Sequence, residues 1–313
     1  MSPNQKHPTL GVVMALVASL LFGLNASAIK VLIQSGITAS QLVLFRSLSV
    51  AILAGLVVAV RSPKTFKMDA REAGKFTAYG VLGIGLMQWA YSNAVSSMPV
   101  GPALLIEYTA VVIVPVATFL IFRETVHRSL WLAVAMVLVG LGIVAHPWDA
   151  GLNPIGALWA ALAAVLLSFN FIMGERLQRH RDSFSTLFFG FAAASAFWLI
   201  VNSVTATPWV SFSGSVDLGG NLAGLIVPVW ALLAWVALAG SYLPMLLTTM
   251  SIRHLKASGV GVVSTSETVF AFVFGYLWLS ERIDLAQTVG AVIVITGIVV
   301  AQTARSKTWQ PSK

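Results

Sequence analysis

Three ionisable side chains sit inside long apolar runs of this sequence: Arg46, Glu107 and Glu267. A charge in hydrocarbon costs on the order of 3 kcal/mol on insertion scales, so such groups are functional candidates by default. Arg46 and Glu107 each lie a few residues into their run, which puts both roughly 7–10 Å below one boundary of the apolar layer. Equal depth allows an ion pair, acting either as a clamp between two helices or as a gate or binder of zwitterionic substrate. Burial of such a pair is weak evidence for stability, which tilts the reading toward function. Glu267 enters from the opposite boundary and reaches roughly 12–15 Å, near the midplane. Its neighbours Ser264, Thr265, Ser266 and Thr268 are polar. A carboxylate there can bind a substrate amine, carry a proton, or tie helices together as a neutral acid; intramembrane acids mark transport pathways.

Uncharged candidates follow. Asn25 and Asn170 hold matched positions in two apolar runs, where an amide can bind a ligand or bridge helices. Tyr91, Trp89 and Tyr242 bring aromatic rings and polar tips, the lining a small-molecule cavity requires, although aromatic side chains also simply fill cores. Other chemistries lack their residues. Cysteine is absent, and His7, His127, His146, His180 and His254 are scattered at ends and loops without metal-ligand spacing. Neither a nucleophile elbow nor a phosphate-binding glycine loop is present, so no metal, cofactor or built-in ATP hydrolysis is expected.

The elements that position these groups are legible in composition. The 313 residues are 58% hydrophobic and 10% charged, against about 25% charged in soluble domains. That excludes a soluble enzyme, a nucleic-acid-binding domain and a disordered chain. Ten apolar segments are each long enough to cross a bilayer: Leu10–Gln34, Leu42–Val60, Phe76–Ser97, Val100–Phe122, Leu130–His146, Ile155–Glu175, Leu187–Val204, Ile226–Ser251, Gly259–Leu279 and Leu285–Gln302. With the N-terminus inside, sixteen of the nineteen Lys and Arg residues fall on the cytoplasmic side, which predicts both termini there. The stretch Trp209–Asn221 then becomes the longest external loop.

The chain also repeats itself. Leu10–Asn25 aligns without gaps on Ile155–Asn170, matching at Gly11/Gly156, Ala15/Ala160, Ala18/Ala163, Leu21/Leu166 and Asn25/Asn170. Phe122-Arg123-Glu124 answers Leu279-Ser280-Glu281, Gly140 falls opposite Gly297, and Glu107 has a rough counterpart in Glu267. Because five spans is an odd number, the second half enters the membrane from the opposite side, the inverted repeat frequent in secondary transporters. The expected organisation is residues 1–150 and 151–305 as two five-helix halves with a cytoplasmic tail at 306–313.

Two such halves, each with a Glu after its fourth span and a Gly-rich last helix, resemble the EamA family of the drug/metabolite transporter superfamily, as does Leu44-Phe45-Arg46. The run Gly101–Thr109 is similar to the corresponding span of bacterial threonine/homoserine exporters. The resemblance implies a ten-helix all-α carrier of the bacterial inner membrane that exports amino acids or related metabolites. Phe191 stands where the second half would need a partner for Arg46, so an asymmetric site is expected. The lipid bilayer, a small-molecule substrate and protons as coupling ion are the expected partners. A channel or structural membrane protein is the alternative. A membrane-embedded enzyme is the weakest reading, since no clustered catalytic set can be assembled.

Overall fold

A computed structural model describes residues 8–61, 66–110, 112–114, 128–145, 153–178, 180–207, 213–254, 260, 263–282 and 284–308. Pro115, Phe122-Arg123-Glu124, His127, His146 and Trp209 lie outside them. In chain order the helices are α1 (Pro8–Gln34), α2 (Ala39–Arg61), α3 (Ala70–Ala78), α4 (Met87–Ser97), α5 (Val100–Glu107), α6 (Arg128–Ala145), α7 (Pro154–Gln178), α8 (Ser183–Val204), α9 (Val229–Ala237), α10 (Leu243–His254), α11 (Ser266–Leu277) and α12 (Leu285–Thr308). Two wider, π-helical stretches join neighbours: Tyr79–Leu86 between α3 and α4, and Leu238–Tyr242 between α9 and α10.

Apolar runs become helices because only a helix pairs every backbone N–H and C=O within one segment where water is absent. Five helices among the described residues are long and apolar enough to cross a bilayer, beginning at Thr9, Ala39, Pro154, Ser183 and Val229. Shorter apolar helices accompany them at Val100–Val114, Trp131–Val144, Ser266–Leu277 and Leu285–Val300. Their outer faces carry exposed Ile52, Leu56, Val60, Leu138, Val165, Val204 and Val292. So much apolar exposure is what a lipid-facing surface requires and what a soluble monomer avoids.

Polar side chains begin several helices by accepting free N–H groups. Asp182 accepts from Phe184 and Ser185 at α8, Asn153 from Ile155 at α7, and Asp284 from Gln287 at α12. The expected span at Ile226 starts later than its hydropathy suggests. Ile226–Pro228 is a strand that pairs antiparallel with Ser215–Asp217, and the helix begins at Val229. The turn between the strands is held by Asp217, whose carboxylate accepts from the N–H groups of Gly219 and Gly224. Those bonds hold its carboxyl below the usual range. This hairpin seats on the end of α11: Trp278 donates to the Leu218 carbonyl, and Asn221 donates to the carbonyls of Tyr276, Leu277 and Trp278.

Helices pack across the sequence rather than only along it. α6 lies on α12, α2 on α8, and α5 on α11. α1 packs on α10 and α11, while α7 packs on the Tyr79–Leu86 stretch, α4 and α5. The largest core cluster fills the middle of this arrangement with Ile29, Leu32, Leu42, Val95, Leu104 and Leu233.

The two ends of the bundle are tied differently. At the hairpin end, Lys30 bonds Glu281 at 2.7 Å and the Met98 carbonyl at 3.0 Å. The same Glu281 carboxylate accepts the Val100 N–H, so α5 is capped by a residue 181 positions away. At the other end, the Arg181 guanidinium grips both oxygens of Glu72 at 2.7 Å, which holds that carboxyl below its ordinary value.

Candidate functional site

Four of the sequence-derived candidates converge. Arg46 from α2, Tyr91 from α4 and Glu107 at the end of α5 are each more than nine-tenths buried. Glu267, in the first turn of α11, is part-buried beside them. Arg46 is close enough to Tyr91, Glu107 and Glu267 for direct electrostatic interaction, and Glu107 and Glu267 feel one another. The cluster therefore brings one cation within electrostatic reach of two carboxyl groups and a phenol.

Direct bonds link it to two residues that were not singled out from the sequence. Arg46 Nε donates to Ser241 Oγ at 3.0 Å. Tyr108 Oη donates to Glu267 Oε2 at 2.6 Å. The expected Arg46–Glu107 ion pair is not formed; Lys30 pairs with Glu281 and Arg181 with Glu72, both at the ends of the bundle. The Arg46 guanidinium is instead drawn by its Nε to the Leu238–Tyr242 stretch, leaving its terminal fork unbonded among the described residues.

Backbone geometry explains why this spot is polar. The α5 segment ends at Glu107 and turns through Tyr108 and Thr109 before helix resumes. The segment leading into α11 is likewise broken at Thr265, two residues before Glu267. Tyr108 and Thr265 are 157 residues apart, the spacing that also separates Gly140 from Gly297. Matched helices are thus interrupted at matched points, and each break carries an acid. Discontinuous helices at midplane are the usual foundation of transporter binding sites, because their freed backbone groups and helix ends face the ligand. A helix N-terminus also favours a carboxylate in its first turn, the position of Glu267.

Several buried side-chain oxygens lack partners among the described residues, including Tyr91 Oη in the cluster itself, Ser47 Oγ and Thr268 Oγ1 next in sequence to Arg46 and Glu267, Ser92 Oγ, and Asn25 Oδ1. Buried polar atoms are ordinarily bonded, so the unpartnered Tyr91 hydroxyl within the cluster is a point where a polar ligand can bond. Asn25 packs against Gly240, one residue from Ser241, at the edge of the cluster. The remaining candidates lie apart. Asn170 donates to the Gly83 carbonyl at 2.8 Å and so bridges α7 to the Tyr79–Leu86 stretch. Trp89 packs edge-on against Trp159 at 4.9 Å and beside Trp198. Tyr242 joins the apolar cluster of Val50, Phe76 and Phe191. No group of three metal-ligating side chains occurs among the described residues.

Against known proteins, this sequence matches the model of the EamA-like transporter family at residues 9–145 and again at 154–303. The chain belongs to the EamA-like transporter family. Relatives within it are distant but full length. An uncharacterized transporter of Helicobacter pylori is 21% identical over 95% of this chain and 96% of its own. The uncharacterized transporter YcbK of Bacillus subtilis is 23% identical, covering 94% of each. The pseudopaline exporter CntI of Pseudomonas aeruginosa is 23% identical over 92% of this chain and 94% of its own. A solved crystal structure superposes with a TM-score of 0.63 at 15% identity, over 96% of this chain and 99% of that one, and so shares this chain's fold. Family and relatives point to a membrane transporter of small molecules rather than to an enzyme.

Proposed function

We propose that this EamA-family protein is a secondary transporter that exports amino acids or closely related amino-carboxylates by alternating access. The observation that carries the reading is the buried Arg46, bonded among the described residues only through Nε to Ser241, within electrostatic reach of Glu107 and Glu267 where two matched helices break. Arg46 receives the substrate carboxylate and one acid receives the ammonium; Arg is the side chain suited to bidentate capture of a carboxylate. Glu267 carries the proton that couples transport to a pH gradient, with Tyr108 as its hydrogen-bond partner. Residues 1–150 and 151–305 act as two oppositely inserted five-helix halves, with both termini in the cytoplasm and the inner membrane as the site. The main helix packings support the two-half organisation: α2 on α8 and α6 on α12 each pair a segment with its counterpart, and α1 on α10 and α11 answers α7 on α4 and α5. The outward direction leans on the relatives whose name describes pseudopaline export.

The test compares extracellular metabolites of cells with and without the protein. Accumulation of amino-carboxylates outside expressing cells, lost in Arg46→Ala, is the expected result. Accumulation confined to sugars or to uncharged lipophilic compounds contradicts the substrate class.

A further inference from the structure

The two matched asparagines meet matched places. Asn25 and Asn170 are 145 residues apart, the spacing of the first-span match. Each faces a π-helical stretch in the opposite half: Asn170 packs on Gly83 within Tyr79–Leu86, and Asn25 packs on Gly240 within Leu238–Tyr242. Gly83 and Gly240 are 157 residues apart, the spacing of Tyr108 and Thr265. Exchange of the halves therefore carries one asparagine–glycine contact onto the other.

The two contacts are not in the same state. On one side the bond is made, with Asn170 Nδ2 donating to the Gly83 carbonyl at 2.8 Å. On the other, Asn25 turns its Oδ1 toward Gly240, where that acceptor is buried without a partner, and its Nδ2 makes no bond to the Gly240 carbonyl among the described residues; closing this side requires the amide to turn over. A π-helical turn inserts an extra residue and weakens the local ladder, so it bends more readily than the α-helix around it. Lacking a Cβ, Gly83 and Gly240 let an amide approach the backbone at that weak point. The two sides share their residues and differ in whether the bond is closed.

We propose that Asn170–Gly83 and Asn25–Gly240 are alternating latches on two hinge segments, one closed in each of the carrier's two conformations. The state described here, with Asn170 latched, is the one in which Lys30, Glu281 and Val100 close the hairpin end. In the opposite state Asn25 closes on the Leu238–Tyr242 stretch and Asn170 releases Gly83. That movement also shifts Ser241, so the hinge on the Asn25 side is wired to Arg46. The inference rests on the alternating-access reading and adds to it which bonds exchange.

The chain has no cysteine, so a single Met98→Cys reports without background; Met98 is buried at the hairpin end, beneath the Lys30 contact. Its rate of modification by a maleimide is read on the full chain in nanodiscs, beside an exposed Ser96→Cys control. Asn170→Ala should raise the Met98→Cys rate and Asn25→Ala should lower it, each by about fivefold, the equilibrium weight of one ordinary hydrogen bond. Asn170→Leu and Asn25→Leu, close in size and without the amide, should repeat the opposite signs if the alanine variants fold poorly. Shifts of the same sign in both, or none in either while Met98→Cys still labels, overturn the latch exchange and leave the transporter reading standing. No labelling of Met98→Cys in any variant while Ser96→Cys labels fully overturns both.

Discussion

Arg46, Glu107 and Glu267 differ in how they are held: among the described residues, two are hydrogen-bonded and one is not. Arg46 is fixed through Nε to Ser241, which aims its fork without using it up. Glu267 is held by Tyr108, a partner that can donate to the ionised carboxylate and accept from the neutral acid. Glu107 has no hydrogen bond among the described residues and is the freer of the two acids. Replacing Glu267 by Gln should keep the protein folded and abolish transport driven by a pH gradient, measured in liposomes with an imposed gradient; unchanged driven transport would remove it from the proton path. Intramembrane charge made Arg46, Glu107 and Glu267 legible in the sequence, because a charge in an apolar run is costly to keep. Ser241 and Tyr108 were not legible as partners, since the groups they bond lie 195 and 159 residues away. Asn170 and Trp89 carried the same sequence signal as Asn25 and Tyr91, yet the fold turns them toward a helix bridge and an aromatic stack.

At the scale of elements, the apolar runs gave helices but hid their interruptions. Nothing in the hydropathy of Gly101–Thr109 marks the turn at Tyr108, and Gly259–Leu279 reads as one span although Thr265 breaks it. The hairpin was hidden for the opposite reason. Ile226–Pro228 is as apolar as the helix it precedes, so its strand pairing with Ser215–Asp217 was absorbed into the span. Glu281, legible in the sequence only as the Glu after a fourth span, binds three elements through Lys30, Val100 and the end of α11. Glu281→Gln should cost about 1.5–3 kcal/mol, the range of hydrogen bonds made by a charged group. Thermal unfolding in detergent measures it. A Glu281→Gln protein as stable as the parent would mean that the hairpin end is held by the loop docking of Trp278 and Asn221 instead.

For the whole molecule, the sequence conveyed the repeat through a few spaced identities and the charge asymmetry of its loops. What it could not convey was how the halves interleave: α2 on α8, α6 on α12, and each half's first span on the other's gating segments. That interleaving lets a rearrangement in one half be answered in the other, and it surrounds the Arg46 cluster with helices from both. The central claim is that a substrate passes through this cluster by alternating access. Counterflow tests it most directly. Liposomes holding the full-length protein are preloaded with a mixture of unlabelled L-amino acids, and entry of the same amino acids in radiolabelled form is followed over time. The account predicts saturable uptake, accelerated by the preload and lost in Arg46→Ala. Uptake that rises linearly with concentration and ignores the preload, or that survives Arg46→Ala unchanged, would contradict it.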